Sequence, residues 1–215
     1  MTDKIKLIIL GTRAFAEEVA DLVSDCAEYQ LAAFAENWER ERCARPLLGR
    51  RVIWVDDLAP LASSHQAVCA IGTPRRSLFV GQAEQLGFRF ATVRHPTARV
   101  SRTVVVGAGS IVSAGVVVAT QTVIGRHVII NRGSLIGHHT RIGDYVTISP
   151  GANVAGSVEI GAGTYIGMGG IISDHVKVGA QCMVMAGAVV VKDVPERSQV
   201  GGVPARVIKT GIEGP

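Results

Sequence analysis

Two adjacent histidines, His138 and His139, are the first candidates for chemistry in this sequence. Gly156 follows His138 after eighteen residues, and Asp174 follows after eighteen more. A histidine can act as a general base that removes a proton from an amine or a hydroxyl, and a glycine leaves its backbone N–H accessible to a developing oxyanion. If a period of eighteen residues stacks these positions along one edge, about 4.8 Å apart, they supply two groups that acyl transfer needs.

The element that would stack them is a six-residue repeat. From Val100 to Val190 every sixth residue is Val or Ile, the second position of each hexad is often Gly, and the fifth is always small or β-branched. This period fits neither an α-helix nor an alternating strand, but it is typical of a β-helix with three six-residue faces. Residues 100–195 are therefore predicted to form about five triangular coils. Stacked β-branched side chains would fill the interior, and the glycines would supply unusual backbone angles at the corners.

Residues 4–95 have a different pattern, in which short apolar runs alternate with segments of helical spacing. The expected strands are 4–10, 30–35, 52–55, 67–71 and 88–93, and the expected helices are 14–28, 56–64 and 74–86. This alternation predicts a small parallel sheet covered by helices, which binds ligands at the carboxyl ends of its strands. The candidate substrate-binding residues at or just after these ends are Gly11, Thr12, Arg13, Glu36, Asn37, Gly72, Thr73 and Arg76.

The turn after the first expected strand does not match a dinucleotide-binding fingerprint. Gly11 stands alone where that motif has three glycines. A single glycine here is equally consistent with an ordinary strand-to-helix turn. Glu36, at the end of the second expected strand, could accept hydrogen bonds from a ribose. These residues allow a nucleotide site but do not establish one.

The composition restricts the class of protein. Of the 215 residues, 47% are hydrophobic and 5% aromatic, and 25 are glycines, which fits a folded chain with an aliphatic core and many turns. The net charge of +4 suits an anionic small molecule, but no dense run of Lys and Arg indicates nucleic acid. No run of about 20 apolar residues could span a membrane. The four cysteines are scattered and the first residues lack a signal-peptide pattern, so a cytoplasmic protein is expected.

The hexads resemble a known family. An unbroken run of Ile/Val-Gly-x-x-small-x resembles the hexapeptide-repeat acyltransferases, which form left-handed parallel β-helices, and the segment 192–206 resembles their ending. With the small α/β domain and the linker 95–98, the chain resembles the sialic-acid O-acetyltransferase family, which includes a bacillosamine-pathway N-acetyltransferase. The resemblance implies a Rossmann-like α/β domain over 1–95 that binds a nucleotide sugar. It implies a left-handed β-helix with a C-terminal tail over 96–215.

The same resemblance assigns roles along the histidine edge, where His138, His139 and Gly156 form the expected catalytic set. It implies that His138 is the general base and that the amide of Gly156 binds the acetyl carbonyl. His139 stands where the family usually has Asp or Glu, and Thr147 stands where a His often lines the acetyl-CoA site. A histidine cannot supply a negative charge, so Asp174 or an acid from another subunit would have to substitute.

The acyl donor implied by the resemblance is acetyl-CoA. Its pantetheine arm is expected along a neighbouring edge with small side chains, and its phosphates near basic side chains at the C-terminal end. The expected cofactor-binding residues are Gly156, Met168, Ala186, Gly187, Arg206 and Lys209, with Lys192 as another candidate. Relatives in this family are trimers, so a homotrimer is expected, in which His138 of one chain faces a groove shared with the next.

These features predict an acetyl-CoA-dependent N-acetyltransferase that acts on the amino group of a nucleotide-linked amino-deoxy sugar. Two alternatives stay open: O-acetylation of sialic acid or another glycan sugar, and a homologue that has lost catalytic power but keeps a structural or regulatory role. Zinc chemistry with three His ligands is not expected. His127 and His139 lie twelve residues apart, on different parts of the triangle, so one subunit could not bring them together, and adding His138 and His175 does not restore a ligand pattern.

Overall fold

In the computed structural model, which describes residues 4–214, the chain begins with a five-stranded parallel sheet. Its strands are β1 (Ile5–Leu10), β2 (Tyr29–Glu36), β3 (Val52–Trp54), β4 (Gln66–Cys69) and β5 (Arg89–Phe90). The α-helices are α1 (Ala14–Ser24) and α2 (Ser77–Gln85), and 3₁₀ helices span Arg40–Ala44, Val55–Leu61 and Pro74–Arg76. The strand order is β3-β2-β1-β4-β5, and all pairs are parallel. The α/β class predicted for this part is confirmed.

Two of the predicted helices differ from the observed ones. α1 ends at Ser24, although its spacing predicts a helix to residue 28, because the chain must turn into β2 at Tyr29. The segment expected as a helix over 56–64 is a 3₁₀ helix with Pro60 inside it. A proline cannot donate the backbone hydrogen bond that continues an α-helix, so the tighter and shorter form is adopted here.

The rest of the chain forms a triangular parallel β-helix, whose three flat sheets are called here faces 1, 2 and 3. Face 1 contains β7 (Arg99–Val100), β10 (Val117–Val118), β13 (Leu135–Ile136), β16 (Asn153–Val154), β19 (Ile171–Ile172) and β22 (Val189–Val190). Face 2 contains β8 (Val105–Val106), β11 (Val123–Ile124), β14 (Arg141–Ile142), β17 (Glu159–Ile160) and β20 (Lys177–Val178). Face 3 contains β6 (Val93–Arg94), β9 (Ile111–Val112), β12 (Ile129–Ile130), β15 (Thr147–Ile148), β18 (Tyr165–Ile166), β21 (Met183–Val184), β23 (Ser198–Gly202) and β24 (Ala205–Thr210). β23 and β24 form an antiparallel hairpin that ends face 3.

Successive coils pair in parallel with a shift of eighteen residues. On face 1, Val118 pairs with Ile136, which pairs in turn with Val154. The repeated Val and Ile side chains form one continuous core, so the eighteen-residue coil is confirmed. The first coil begins at Val93, slightly before residue 96, where we expect the β-helix to start. Val93 also packs in the core of the α/β domain, and the two parts therefore adjoin without a spacer.

The predicted role of glycine at the corners is confirmed for glycines at fourth hexad positions, such as Gly133 and Gly151, which have a positive φ. The glycines at the second hexad positions have a different role. None of them has a positive φ; instead, a Cβ added to any of them would come within 2.7 Å of the next coil. At Gly137, for example, the added Cβ would lie 2.4 Å from the carbonyl carbon of Ala155. These glycines allow close approach of coils. The unusual backbone angles occur at the fourth hexad positions, such as His139 with φ 56°.

The α/β domain packs on face 3 through a buried arginine. Arg76 is 1% exposed, and its guanidinium donates 2.8 Å hydrogen bonds to three groups of the β-helix. These are the carbonyl oxygens of His127 and Val146 and the hydroxyl of Thr147. Desolvation by burial lowers the pKa of Arg76 to about 10, which leaves the side chain charged at neutral pH.

Two surface ion pairs mark the borders of this contact. Glu84 of α2 pairs with Arg126 at 2.6 Å, and Glu18 of α1 pairs with Arg132 at 2.6 Å. Both arginines lie at turns that flank face 3, so the domain contact spans that face. The edge between faces 1 and 2 lies on the opposite side of the triangle. No helix within residues 4–214 is long and apolar enough to cross a lipid bilayer.

Candidate active site

The turn at His138 and His139 joins β13 on face 1 to β14 on face 2. Both histidines are exposed. Backbone hydrogen bonds tie this turn to the next coils: the N–H of Ser157 donates to the carbonyl of His138 at 2.8 Å, and the N–H of His175 donates to that of Gly156 at 3.1 Å. The stacking of His138 and Gly156 along one edge, which the period of eighteen predicts, is therefore confirmed.

The imidazole of His138 lies directly on the backbone of Gly156. A Cβ built on Gly156 would stand 2.7 Å from Cε1 and 2.8 Å from Nε2 of the ring. The bare α-carbon thus makes room for the imidazole itself, in addition to exposing the peptide group. Within residues 4–214 the N–H of Gly156 donates no hydrogen bond, so it is available to an incoming oxygen.

His138 and His139 form a hydrogen-bonded pair. Their Nδ1 atoms are 3.1 Å apart, and the rings are inclined at 85°. Since both atoms are Nδ1, one must donate and the other must accept. When Nδ1–H of His138 is the donor, its Nε2 carries no proton and can act as a base. His139 can therefore fix the useful tautomer of His138, although it supplies no negative charge.

Asp174 does not take the place of the missing carboxylate within one chain. It lies two coils from His138, a separation of roughly 10 Å, and its carboxylate is 3.9 Å from Nε2 of His175. Its side chain is 74% exposed. Among the described residues no carboxylate is hydrogen-bonded to either ring of the histidine pair.

The residues expected to bind acetyl-CoA lie in three places. Met168 and Ala186 stack at the turn between faces 3 and 1, where the N–H of Gly187 donates to the carbonyl of Met168 at 2.8 Å. Met168 is 59% exposed. Arg206 and Lys209 lie on β24, in the hairpin that ends face 3.

Gly156 and Lys192 share the histidine edge, one and three coils beyond His138. A shallow groove with a volume of about 600 Å³ runs along face 2 beside this edge. Its lining includes Arg141, Glu159 and Lys177. The predicted cofactor residues are thus not gathered into one pocket of a single chain.

The residues at the ends of β1 and β2 are brought together as predicted, but Glu36 is already occupied. It is 6% exposed, and one oxygen of its carboxylate accepts a hydrogen bond from the hydroxyl of Thr12. The other oxygen accepts the N–H of Asn37 at 2.9 Å and that of Trp38 at 2.8 Å. The expected contact of Glu36 with a ribose does not fit this arrangement, because both oxygens bind the protein.

The remaining strand ends complete this side of the sheet. Gly11 has φ 122°, so it makes a turn that other residues rarely adopt. Arg13 is exposed and pairs with Glu39 at 2.6 Å. Gly72 and Thr73 follow β4, the other neighbour of β1.

Arg76 does not fit the substrate-binding role expected for it. Its guanidinium is enclosed between the α/β domain and face 3, and Nε, Nη1 and Nη2 each donate to the β-helix. The hydroxyl of Thr147 is one of the acceptors. Thr147, where the family often has a histidine, therefore contacts the α/β domain in this chain.

Sequence reasoning missed three residues at this end of the sheet. Trp38 is 83% exposed, Arg42 binds Glu39 at 2.5 Å, and Gln82 of α2 accepts a hydrogen bond from Asn37 at 2.7 Å. A tryptophan among charged residues directly after an expected strand is a signal that could have identified the first. The other two depend on contacts between distant segments.

His127 is buried at the domain contact rather than placed at a metal site. Its ring stacks on Tyr145 at 5.1 Å and meets the edge of Phe90 at 4.6 Å. Burial, followed by the nearby charge of Arg126, lowers the pKa of His127 to about 4. Across residues 4–214, no three His, Cys, Asp or Glu side chains are grouped as metal ligands.

The chain is similar to known proteins in both sequence and structure. Residues 121–156 and 139–174 match the bacterial transferase hexapeptide (six repeats) family. No curated protein sequence matches the chain. The structure is similar to PerB from Caulobacter crescentus in complex with CoA and GDP-perosamine, with a TM-score of 0.87, 30% identity, and coverage of 97% of this chain and 99% of that chain.

Two further structures are similar over nearly the whole chain. The acetyltransferase domain of PglB from Neisseria gonorrhoeae in complex with acetyl coenzyme A has a TM-score of 0.87 and 30% identity, covering 96% of this chain and 100% of that chain. WeeI from Acinetobacter baumannii has a TM-score of 0.86 and 27% identity, covering 95% and 100%. The similarity thus includes both the α/β domain and the β-helix.

Proposed function

The chain belongs to the hexapeptide-repeat sugar acyltransferases of the sialic-acid O-acetyltransferase family, and from this premise we propose its reaction and the residues that carry it. It is an acetyltransferase with a left-handed β-helix that uses acetyl-CoA to acetylate the amino group of a nucleotide-linked amino sugar. The observation that carries the catalytic assignment is the imidazole of His138 lying on the bare α-carbon of Gly156.

His138 acts as the general base. The amine nitrogen of the sugar attacks the carbonyl carbon of the acetyl thioester while Nε2 of His138 takes a proton from that nitrogen. The N–H of Gly156 donates to the oxyanion of the tetrahedral intermediate. Collapse breaks the C–S bond, and the proton held by His138 passes to the leaving thiolate. The products are the N-acetylated sugar and CoA with a free thiol.

His139 orients the base during these steps. Nδ1–H of His138 donates to Nδ1 of His139 across the 3.1 Å contact. Nε2 of His138 therefore stays unprotonated and can accept the proton of the amine. When His138 becomes an imidazolium, the same hydrogen bond becomes charge-assisted. Such hydrogen bonds are shorter and stronger than those between neutral groups. This support replaces the carboxylate usual in the family.

A neighbouring subunit must supply the sugar, because within one chain the strand ends of the α/β domain lie across the triangle from His138. We therefore propose a homotrimer in which the domain of one chain presents its ligand to the edge of the next. Faces 1 and 2, which border this edge, carry exposed apolar side chains suited to burial between subunits. These are Val105, Val117, Val123, Leu135 and Ile171.

Acetyl-CoA would reach the same edge along the neighbouring subunit surface. Small groups at Ala186 and Gly187 leave space for the pantetheine arm, and Arg206 and Lys209 offer charge to the phosphates. A cytoplasmic location and a place in glycan synthesis agree with a nucleotide-linked acceptor and a CoA donor.

The direct test measures thiol release from acetyl-CoA with a panel of nucleotide-linked amino sugars and with free sialic acid. The expected result is release only with the amino sugars, and mass spectrometry should place the acetyl group on nitrogen. His138→Ala should reduce the rate about 10²- to 10⁴-fold without loss of folded structure. Transfer to a sialic acid hydroxyl would contradict the proposal, and so would an absence of thiol release with every acceptor.

A further inference from the structure

Trp38 is an exposed tryptophan in a fixed turn. It is 83% exposed, whereas large aromatic side chains normally bury most of their surface. The N–H groups of Asn37, Trp38 and Glu39 all donate to one carboxylate oxygen of Glu36, at 2.9, 2.8 and 3.3 Å. The second oxygen of Glu36 binds the hydroxyl of Thr12. The backbone that holds this indole in solvent is therefore anchored to the end of β1.

Trp54, the other tryptophan of the chain, lies at the same end of the sheet but is differently placed. It pairs with Glu36 at the end of β3. The guanidinium of Arg40 stacks over its ring at 5.4 Å, and its indole N–H donates to Asp56 at 3.1 Å. Within residues 4–214 the indole of Trp38 has no comparable hydrogen bond or stacked partner. The indole of Trp54 is therefore held by contacts within the protein, whereas the indole of Trp38 is not.

Positive charge lies beside the exposed indole. Arg13 and Arg42 hold Glu39 between them at 2.6 and 2.5 Å. The carboxylate of Glu36 balances the second arginine in charge, but it is buried, whereas Arg13 is exposed. An anion arriving from solvent would therefore meet the guanidinium of Arg13. Because β1 and β2 are neighbours, the turn at Gly11 lies about one strand spacing, roughly 4.8 Å, from the turn that carries Trp38. A phosphate held at the end of β1 would therefore have a flat aromatic surface beside it.

We propose that Trp38 stacks on the base of the nucleotide that carries the amino sugar, and that it favours a purine over a pyrimidine. This inference rests on the proposed function and names the part of the substrate that the α/β domain recognises. Any base can stack on an indole, but the two fused rings of a purine cover more of it than the single ring of a pyrimidine. Glu36 acts here as a positioning residue that holds the turn.

Tryptophan fluorescence tests the contact directly. In the Trp54→Phe variant, Trp38 is the only tryptophan, so any change in emission reports on it. GDP is expected to quench the emission to a saturating level, UDP to quench it at higher concentration, and inorganic pyrophosphate, which has no base, to leave it unchanged. Equal quenching by pyrophosphate and GDP would overturn base stacking, as would unchanged emission at saturating GDP.

Steady-state kinetics supplies the second readout. Trp38→Ala is expected to raise KM for a GDP-linked amino sugar about tenfold to a hundredfold, with little change in kcat or in KM for acetyl-CoA. Trp38→Phe, which keeps an aromatic face, should recover part of the loss. Trp54→Phe is the matched control, since it changes a tryptophan at the same sheet end whose ring is already occupied, and its KM should equal that of wild type.

Failure of this inference can be told apart from failure of the proposed function. If Trp38→Ala transfers acetyl with unchanged KM for the nucleotide sugar, the stacking role is wrong while the enzyme activity stands. If GDP quenches Trp38 but no nucleotide amino sugar is acetylated, the nucleotide site stands while the proposed reaction fails. Dissociation of the oligomer in Trp38→Ala, measured by light scattering, would overturn the inference by making the indole an interface residue.

Discussion

The imidazole of His138 occupies the space that a side chain at position 156 would fill. The relationship crosses one coil of the β-helix and depends on Gly156 having no Cβ. Both proposed catalytic roles depend on the missing Cβ of Gly156. Its absence makes room for the imidazole of His138 and leaves the N–H of Gly156 open. A change at Gly156 should therefore disturb the base before it disturbs the fold.

Gly156→Ala should lower kcat strongly while the protein stays folded. The new Cβ would lie 2.7 Å from Cε1 of His138, which forces the ring to rotate away. The φ of Gly156 is not positive, and alanine already occupies third hexad positions at Ala162 and Ala180, so the backbone tolerates the change. Acetyl transfer rates and circular dichroism of the same sample provide the measurement.

A loss of about tenfold or more in kcat is expected from Gly156→Ala, since displacing a base removes part of the 10²- to 10⁴-fold contribution of such groups. The matched control is Gly133→Ala, because Gly133 lies at a turn of another edge with nothing within 4 Å of its added Cβ. Its positive φ of 67° makes it the more costly change for stability. Equal activity of Gly156→Ala and wild type would contradict the assigned contact.

Substitutions at His139 should separate its two properties, hydrogen-bond acceptance and charge. His139→Phe removes the acceptor for Nδ1–H of His138, so kcat should fall about five- to tenfold, as expected for one hydrogen bond of roughly 1 kcal/mol. His139→Asn retains an acceptor and tolerates the positive φ at this turn, so it should recover much of the rate. KM for acetyl-CoA should change little in either variant.

His139→Asp adds the negative charge that this chain lacks beside its base. A carboxylate accepts from Nδ1–H of His138 and also stabilises the imidazolium, so kcat should equal or exceed that of wild type. If His139→Phe and His139→Asp behave alike, His139 has no role in positioning the base.

The repeat could be predicted from the sequence because its cause is local. Each coil requires a β-branched residue at the same place in its interior, so the pattern at Ile136, Ile142 and Ile148 is visible before any contact is known. The alignment of His138 with Gly156 follows from the same period. The ring-to-ring contact with His139 does not, because it depends on side-chain rotation at a turn.

The contacts of Glu36 and Arg76 could not be predicted in the same way. Glu36 binds a hydroxyl 24 residues away, and Arg76 binds Thr147, 71 residues away. Both look like surface groups at a ligand site when only their neighbours in sequence are known. Packing of the α/β domain on face 3 buries Arg76, and closure of the turn after β2 occupies Glu36.

Arg76→Met should destabilise the contact between the α/β domain and the β-helix. It would leave the carbonyl oxygen of His127 and the hydroxyl of Thr147 without a donor in a buried site, and it would remove one of the two donors to the carbonyl oxygen of Val146, at a cost of about 2 to 4 kcal/mol. Thermal or urea unfolding measures this cost. Arg75→Met, at the exposed neighbouring residue, is the control and should unfold like wild type. Equal stability of the two variants would show that Arg76 does not hold the domains together.

His127 should make the protein less stable in mild acid. Burial, with a further contribution from Arg126, lowers its pKa from 6.5 to about 4, and within residues 4–214 neither ring nitrogen has a hydrogen-bond partner. Below pH 6.5 the unfolded chain binds a proton that the folded protein does not accept until about pH 4. The free energy of unfolding therefore carries no penalty from His127 above pH 6.5. It falls by up to roughly 3 kcal/mol as the pH drops from 6.5 toward 4.

His127→Phe isolates this effect because it keeps an aromatic ring between Tyr145 and Phe90 but removes the titrating group. Urea unfolding of the variant at several pH values from 7 to 4 should give a shallower loss of stability than wild type, while His65→Phe, at a less buried histidine, should keep the wild-type slope. Equal slopes for wild type and His127→Phe would mean that the ring of His127 is protonated in the folded protein. In that case the domain contact would have to open far enough to hydrate it, since the enclosed ring has no acceptor for the added proton.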